Sequence, residues 1–178
     1  MRVIAGQARG RKLVPPPGDR VRPTLDRVRE ALFSIIGPSL PGASFIDLYA
    51  GSGANGIEAL SRGAALSVFV DSFTESQKCI RKNLETTGLA DRAKVMHYGL
   101  PESLGKIGGS YDVVFADPPY AQGNYEGLLV AISDAGLVAP GGQVIIEHTS
   151  KETLPDIAAA LTCQRRKKYG KTTLSIYA

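Results

Sequence analysis

The spacing of the hydrophobic positions changes near residue 44. From there on, short apolar runs alternate with longer segments whose apolar residues recur every three or four positions. These two patterns indicate buried strands and amphipathic helices, respectively. Strands are predicted at 44–48, 66–70, 93–97, 111–116 and 143–147, and helices at 54–61, 74–87, 125–135 and 155–161, with a short helix at 101–107. The alternation predicts an α/β protein with a mostly parallel sheet and helices on both faces.

Both ends of the chain follow other patterns. Residues 1–14 alternate weakly and predict a small hairpin that turns between Gly6 and Gly10. A proline-rich loop follows, and a helix is predicted from Thr24, as its N-cap, to Gly37. The segments 163–169 and 171–177 predict an antiparallel hairpin. We therefore expect a seven-stranded mixed sheet in one domain, 1–178, with 1–20 as a basic extension of the core 21–178.

The composition is that of a soluble domain. The chain has 178 residues, of which 43% are hydrophobic and 21% charged. It contains no apolar run of the roughly 20 residues that span a bilayer, and its charged beginning lacks the apolar part of a signal peptide. The two cysteines match no metal-ligand spacing. We expect a cytoplasmic protein, monomeric, with no metal and no membrane partner.

Positive charge is concentrated at the two ends. Residues 1–30 hold eight Lys and Arg against three acidic residues, residues 164–171 hold five basic residues and no acid, and the remainder has a net charge of −6. Such a distribution favours a polyanion held by the basic ends over ordinary solvated surface charge. The candidate contacts are Arg2, Arg9, Arg11, Lys12, Arg165, Arg166, Lys167 and Lys168.

A glycine-rich turn follows the first predicted strand of the sheet. Gly51-x-Gly53-x-x-Gly56 leads into the helix at 54–61 and matches the fingerprint of nucleotide-binding folds. Asp71 ends the next strand, where its carboxylate can accept both hydrogens of a ribose diol. Asp47 precedes the turn and favours a cofactor with an ammonium group, such as S-adenosylmethionine. It is equally suited to hold the backbone amides of the turn.

The segment Asp117-Pro118-Pro119-Tyr120 leaves the strand at 111–116. In doubly wound sheets ligands bind at the carboxyl ends of the strands, so this segment should face the same crevice as the glycine turn. An amine on a nucleobase is a poor nucleophile because its lone pair is delocalised into the ring. Two acceptors, Asp117 and the Pro118 carbonyl, would draw the nitrogen towards tetrahedral geometry, while Tyr120 stacks on the base. The segment therefore indicates transfer of a methyl group to a planar amine.

Several segments together resemble a known family, the bacterial small-subunit ribosomal-RNA guanine-N2 methyltransferases. The resemblance covers nearly the full length and weakens after about residue 150. The matching segments are Arg2-Val3-Ile4-Ala5-Gly6, Arg9-Gly10-Arg11-Lys12-Leu13, Arg22-Pro23-Thr24-x-Asp26-Arg27-Val28-Arg29-Glu30-Ala31-Leu32-Phe33, Asp47-Leu48-Tyr49-Ala50-Gly51-Ser52-Gly53, Glu58-Ala59-Leu60-Ser61-Arg62-Gly63-Ala64 and Asp117-Pro118-Pro119-Tyr120.

The resemblance implies a Rossmann-like class I methyltransferase. It further implies S-adenosylmethionine as donor, one guanine N2 of 16S rRNA as acceptor, a partly assembled small subunit as substrate, and RNA contacts from the N-terminal hairpin. Its catalytic residues would be Asp117, Pro118, Pro119 and Tyr120. Its cofactor residues would be Arg22, Thr24, Asp47, Tyr49, Ala50, Gly51, Ser52, Gly53, Asn55, Gly56, Asp71, Ser72, Gly99 and Leu100.

The chain departs from this family at two points. Relatives often have a second acid two residues after the one at Asp71, and Phe73 stands there instead. Relatives also place an acid after the third strand, where it accepts from the adenine amine. Tyr98-Gly99-Leu100 offers none, so backbone groups would have to frame the ring.

Other functions are compatible with individual motifs. An adenine-N6 or cytosine-N4 methyltransferase of DNA would share Asp117–Tyr120, but the chain is short for a separate DNA-recognition domain. A nicotinamide dehydrogenase would share the glycine turn and leave Asp117–Tyr120 unexplained. An RNA-binding assembly factor without catalysis would account for the missing adenine acid.

Overall fold

The computed structural model describes residues 1–17, 26–119 and 123–178. Its centre is a sheet with the strand order β3-β2-β1-β4-β5-β8-β7-β6. The strands are β1 (Ser44–Leu48), β2 (Leu66–Asp71), β3 (Ala93–His97), β4 (Tyr111–Ala116), β5 (Val138–Thr149), β6 (Ile157–Ala158), β7 (Leu161–Tyr169) and β8 (Thr172–Tyr177). The helices are α1 (Asp26–Ile36), α2 (Ala54–Ser61), α3 (Thr74–Thr87) and α4 (Tyr125–Asp134).

The first five strands are parallel, and the C-terminal strands β8, β7 and β6 continue the sheet in antiparallel pairing. Parallel pairing places the carboxyl ends of β1, β2 and β4 next to each other. Ile46 of β1 lies opposite both Val68 of β2 and Val114 of β4, so these ends are level. The predicted α/β class and the mixed sheet are confirmed.

Alternate residues of the strands feed two apolar layers. Phe45 belongs to the layer that also contains residues of α1, α2 and α3, whereas Ile46 belongs to the layer of α4. Because both faces are covered, the inner strands are apolar at nearly every position, which is the pattern that predicted them. Within the described ranges, none of the helices is long and apolar enough to cross a bilayer.

The predicted helix at 155–161 is wrong. The segment is not helical there: Ile157 and Ala158 form the short strand β6 against Thr162 and Leu161, and Ala159 and Ala160 form the turn between them. This strand is the eighth of a sheet expected to have seven. The three alanines at 158–160 favour a helix by propensity, but side chains of the neighbouring strands bind the backbone instead. Tyr177 donates to the Pro155 carbonyl at 2.8 Å, and Arg166 donates to the same oxygen at 3.1 Å.

The other differences concern boundaries. Only a 3-10 turn, Leu104–Lys106, lies within the predicted helix at 101–107. β5 begins five residues earlier than predicted and ends two residues later. Thr24 and the start of its predicted helix lie outside the described residues, as do Arg22 and Tyr120. The remaining strands and helices agree with the prediction within one or two residues at each end.

The N-terminal hairpin is fixed to α2. Its strands meet at the Arg2–Lys12 bridge, and Val3 is buried in the layer of α1 and α2. Glu58 of α2, fully buried, accepts from the backbone N–H groups of Ile4 at 2.8 Å and Ala5 at 3.0 Å. The hairpin is thus anchored to the helix that follows the glycine turn.

Candidate active site

Three carboxylates lie at the carboxyl ends of adjacent strands. Asp47 is on β1, Asp71 ends β2, and Asp117 directly follows β4. The proximity of the three has an electrostatic effect, because the charges of Asp117 and Asp71 both help to raise the pKa of Asp47. Asp47, Asp71 and Asp117 thus lie at one edge of the sheet, at the carboxyl ends of β1, β2 and β4.

Asp47 is almost completely buried, and its Oδ2 accepts a hydrogen bond of 3.0 Å from the backbone N–H of Gly56. Burial is the main cause that raises its pKa well above the ordinary value, and the two neighbouring carboxylates add to it. The hydrogen bond from Gly56 acts in the opposite direction. Of the two roles open to Asp47 on the sequence, holding an amide of the turn is the one observed. A cation placed beside it would relieve the remaining cost of its charge.

Asp71 connects the glycine turn to the start of α3. Its Oδ2 accepts from the backbone N–H of Gly51 and its Oδ1 from that of Phe73, both at 2.8 Å. Each carboxylate oxygen has a second lone pair, so these two bonds leave acceptor capacity for hydroxyl groups.

The glycines of the turn have different tasks. Gly51 and Gly53 have φ values of 55° and 76°, in the left-handed region that glycine adopts without strain. Gly56 has no such φ. A Cβ there would lie 2.3 Å from Cε1 of Phe69, so the missing side chain lets α2 pack closely on β2. Tyr49 also has a positive φ, 63°, and this costs energy in a residue that is not glycine. Such strain is characteristic of functional turns.

One side chain that no sequence motif indicated connects the turn to the N-terminal segment. Asn83 of α3 donates from Nδ2 to the Ser52 carbonyl and to the Val14 carbonyl, each at 2.9 Å. Its Oδ1 accepts from the Val14 N–H at 2.9 Å. A single asparagine within a helix carries no signal from which this role could have been predicted.

A cavity of about 200 Å³ opens beside Pro118. Residues from the ends of β1, β3 and β4 and from the start of α4 line it: Tyr49, Pro101, Glu102, Pro118, Gly123, Asn124, Tyr125 and Leu128. Burial, chiefly, and the charge of Glu102 raise the pKa of the Tyr49 phenol. Glu102 was not predicted. It follows Leu100 by two residues, just beyond the positions where the adenine acid was expected.

Most predicted site residues lie at this edge of the sheet. Asp117 is half-buried, Pro118 is buried and Pro119 is exposed. Ala50, Ser52 and Asn55 are buried within or next to the turn. Ser72 and Gly99 are exposed, whereas the side chain of Leu100 is buried in the layer of α4.

The predicted polyanion contacts fall into two groups. Arg2, Arg9, Arg11 and Lys12 are exposed on the N-terminal hairpin, and Arg165, Lys167 and Lys168 are exposed on β7. Arg166 is engaged within the protein. Its Nη1 lies 2.7 Å from Asp156 Oδ1, and its Nη2 donates to the Leu154 carbonyl at 2.8 Å.

A glycine turn after β1, an acid at the end of β2 and Asp-Pro-Pro after β4, all on one sheet edge, define the chain as a Rossmann-like class I methyltransferase fold. An RNA methyltransferase from Salinibacter ruber, solved with S-adenosyl-L-homocysteine, shares this fold with a TM-score of 0.65 over 87% of this chain and 92% of its own, at 17% identity.

The family is defined by closer relatives. The family model described as conserved hypothetical protein 95 matches residues 1–178, and the chain belongs to this family. Ribosomal RNA small subunit methyltransferase D of Escherichia coli is 36% identical over 99% of this chain and 89% of its own length. A solved structure from Escherichia coli, also 36% identical, superposes with a TM-score of 0.88 over 99% of this chain and 96% of that chain.

Proposed function

We propose that this protein methylates the exocyclic N2 amine of one guanosine in 16S rRNA, with S-adenosylmethionine as methyl donor. The observation that carries the proposal is the convergence of Asp117, Asp47 and Asp71 on one sheet edge, where Asp117 acts on the pKa of Asp47. Membership of a family that includes ribosomal RNA small subunit methyltransferase D supports RNA as the acceptor. The bacterial cytoplasm, where small subunits assemble, is the expected location.

The glycine turn and its acids fit S-adenosylmethionine. Asp47 is buried among like charges and would be stabilised by an ammonium group, which the amino-acid part of the donor carries. Asp71 is fixed by Gly51 and Phe73 with lone pairs remaining for the ribose hydroxyls. Gly51 has no side chain, so the backbone there can approach a ligand, whereas the Cβ that Gly53 lacks would lie against the core, 3.1 Å from Cγ1 of Ile80. When bound, the cofactor supplies an electrophilic methyl group.

Asp117 and Pro118 would act on the amine of the target base. The Asp117 carboxylate and the Pro118 carbonyl each accept one N–H of the amine, which weakens the delocalisation of its lone pair into the ring. The nitrogen would then take the methyl group that the bound donor supplies, with the methyl–sulfur bond of the sulfonium breaking as the C–N bond forms and S-adenosylhomocysteine as the leaving group. The alkylated amine is acidic and would release its proton to water. Positioning and fixed electrostatics supply the rate enhancement. Tyr120 is proposed to stack on the base and hold it.

Basic residues outside this edge are proposed to hold the RNA. The hairpin residues Arg2, Arg9, Arg11 and Lys12 are exposed, and the hairpin is anchored to α2 through Glu58. Their charge is suited to phosphate groups on a small-subunit particle. A monomer suffices for this arrangement, because all the proposed groups belong to one chain.

Mass spectrometry of 16S rRNA from a deletion strain tests the proposal. One N2-methylguanosine should be missing and should return when the wild-type gene is supplied, but not when the supplied gene encodes Asp117→Ala. A missing N6-methyladenosine or N4-methylcytidine would instead identify another amine as target. Unchanged modification, together with calorimetry that detects no S-adenosylmethionine binding, would point to an assembly factor without catalysis.

A further inference from the structure

The turn between β7 and β8 lies at the same sheet edge as Asp117. Ala116 of β4 pairs with Ile146 of β5. One residue further along, Glu147 of β5 is level with Leu174 of β8, and Leu174 is level with Lys167 of β7. Continuing the register beyond Ala116 therefore places Asp117 and Lys167 in one row. Three strand spacings separate them, roughly 14 Å.

Four exposed lysines lie at this end of the sheet. Lys167 and Lys168 are near the end of β7, Lys171 is in the turn, and Lys151 follows the end of β5. The only acid within 149–153 and 163–172 is Glu152. In the described part of the chain, none of these four ammonium groups has a carboxylate partner in an ion pair. This group, Lys151, Lys167, Lys168 and Lys171, is called the lysine rim below.

The backbone that bears the lysine rim is held in place. Ser150 donates from its N–H to the Lys171 carbonyl at 2.8 Å, and its hydroxyl lies 2.9 Å from the Thr173 hydroxyl. The end of β5 thus fixes the turn that carries Lys171. β6 pairs with β7 only at Leu161 and Thr162, so among the described residues no strand covers β7 beside the lysines.

The two arginines of the same basic segment, Arg165 and Arg166, differ from the rim lysines in position and in partners. Arg165 pairs with Ile176, which is level with Ile145 of β5 and Phe115 of β4. Arg165 therefore lies two residues farther than Lys167 from the end of the sheet that carries Asp117. Arg166 is bound to Asp156 and to the Leu154 carbonyl. The hydrogen bond from Arg166 to Asp156 is the main cause that raises the pKa of the guanidinium. Position and free charge therefore favour the lysines as ligand contacts.

We propose that the lysine rim binds phosphate groups of the substrate RNA a few nucleotides from the guanosine presented to Asp117. The inference rests on the proposed function, since it requires RNA as the acceptor. An RNA strand whose target base enters the cavity beside Pro118 must continue across the sheet edge towards β3 or towards β7. The rim supplies positive charge on the β7 side. Along β5, β8 and β7 the lysines would hold the RNA strand in position while the target base is withdrawn from its stack.

Two variants with equal net charge test the rim. The rim variant replaces Lys151, Lys167, Lys168 and Lys171 by Gln. The control variant replaces Lys78, Arg81, Lys82 and Lys94 by Gln, all of them exposed and located on α3 or β3 at the opposite side of the sheet. Both changes remove four positive charges, so long-range attraction falls equally. Binding to small subunits from a deletion strain is measured over a series of salt concentrations.

The rim variant should bind RNA at least tenfold more weakly at low salt. Its slope of log K against log salt concentration should be shallower by about 0.7 for each phosphate that the lysines no longer neutralise. KM for the RNA should rise, while affinity for S-adenosylhomocysteine stays at the wild-type value. The control variant should keep the wild-type slope. These results together support the rim.

Other outcomes overturn the inference. An unchanged slope in the rim variant means that the lysines touch no phosphate, and equal losses in both variants mean that only net charge matters. If the wild-type protein methylates RNA and the rim variant behaves as the control does, RNA binding by the rim is refuted while the proposed function is retained. A wild-type protein that binds no RNA refutes the rim and the proposed acceptor together.

Discussion

Asp71 and Gly51 are joined by a hydrogen bond of 2.8 Å from the Gly51 backbone N–H to Oδ2 of the carboxylate. The other oxygen of Asp71 accepts from the Phe73 N–H, also at 2.8 Å. One buried side chain thereby fixes the glycine turn after β1 and the entry to α3 at once. Because both bonds need an acceptor, the carboxylate at this position has a structural task in addition to its proposed contact with the ribose.

Asp71→Asn should weaken both stability and cofactor binding. The amide has one acceptor oxygen, so its NH₂ group would face a backbone N–H donor. We expect a loss of about 1–3 kcal/mol in the free energy of unfolding, measured in urea. Affinity for S-adenosylhomocysteine, measured by calorimetry, should fall about tenfold or more. Asp91→Asn, an exposed acid of a 3-10 turn, is the control and should change neither. Wild-type affinity in Asp71→Asn would contradict the proposed contact.

Gly56→Ala should destabilise the fold because the new Cβ would lie 2.3 Å from Cε1 of Phe69 and 2.6 Å from the Ser67 hydroxyl. Overpacking of this kind costs about 1–3 kcal/mol in the free energy of unfolding. Gly105→Ala is the matched control, since Gly105 is exposed and a Cβ there meets no atom within 4 Å. Urea denaturation of both variants measures the difference. Equal stability would show that α2 and β2 have room to separate.

The glycine spacing predicted the turn but could not reveal what each glycine does. Spacing is a local property, whereas the close approach of Gly56 to Phe69 depends on how α2 packs on the sheet. The same holds for Asn83, whose partners Val14 and Ser52 lie far away in sequence. Strands 44–48 and 111–116 were predictable because their apolar runs reflect burial on both faces.

The incorrect helix at 155–161 has a related cause. Its alanines favour a helix over a few residues by less than about 1 kcal/mol each, and such preferences yield to tertiary contacts. Arg166 and Tyr177 bind the carbonyl of Pro155, and those residues belong to strands whose pairing cannot be read from the segment itself. Glu102 escaped prediction because the loop after β3 brings it to the cavity from two residues beyond Leu100.

His148 should make stability depend on pH. Its Nε2 lies 2.8 Å from the Ser175 hydroxyl, and its Nδ1 lies 3.0 Å from the Thr149 carbonyl. Burial is the main cause that lowers the pKa of this imidazole, and the charge of Arg166 adds to it. A lowered pKa in the folded state means that the unfolded chain binds the proton more readily. The contribution of neutral His148 to the free energy of unfolding is therefore present above about pH 6.5, and it is lost as the pH falls through the pKa of the folded state.

Urea denaturation at about pH 7.5 and about pH 5.5 measures this effect. The fall in the free energy of unfolding between the two should be smaller in His148→Gln than in wild type. His97→Gln provides the control, because His97 is the other histidine of the chain and is exposed. A fall in His148→Gln as large as that in wild type would assign the pH dependence to other groups.

Asp117→Ala should slow methyl transfer strongly while leaving the cofactor bound. Its loss takes away one of two acceptors for the amine, and a preorganised group of this kind contributes about 10²–10³ to kcat. Asp117→Asn retains a carbonyl acceptor and should lose less. Single-turnover assays with small subunits from a deletion strain give the chemical rate, and calorimetry with S-adenosylhomocysteine should give affinities near wild type for both variants. Asp134→Ala, an exposed acid at the end of α4, is the control for charge. If Asp117→Ala retains the wild-type rate, the carboxylate does not accept from the amine, and the Pro118 carbonyl alone must orient it.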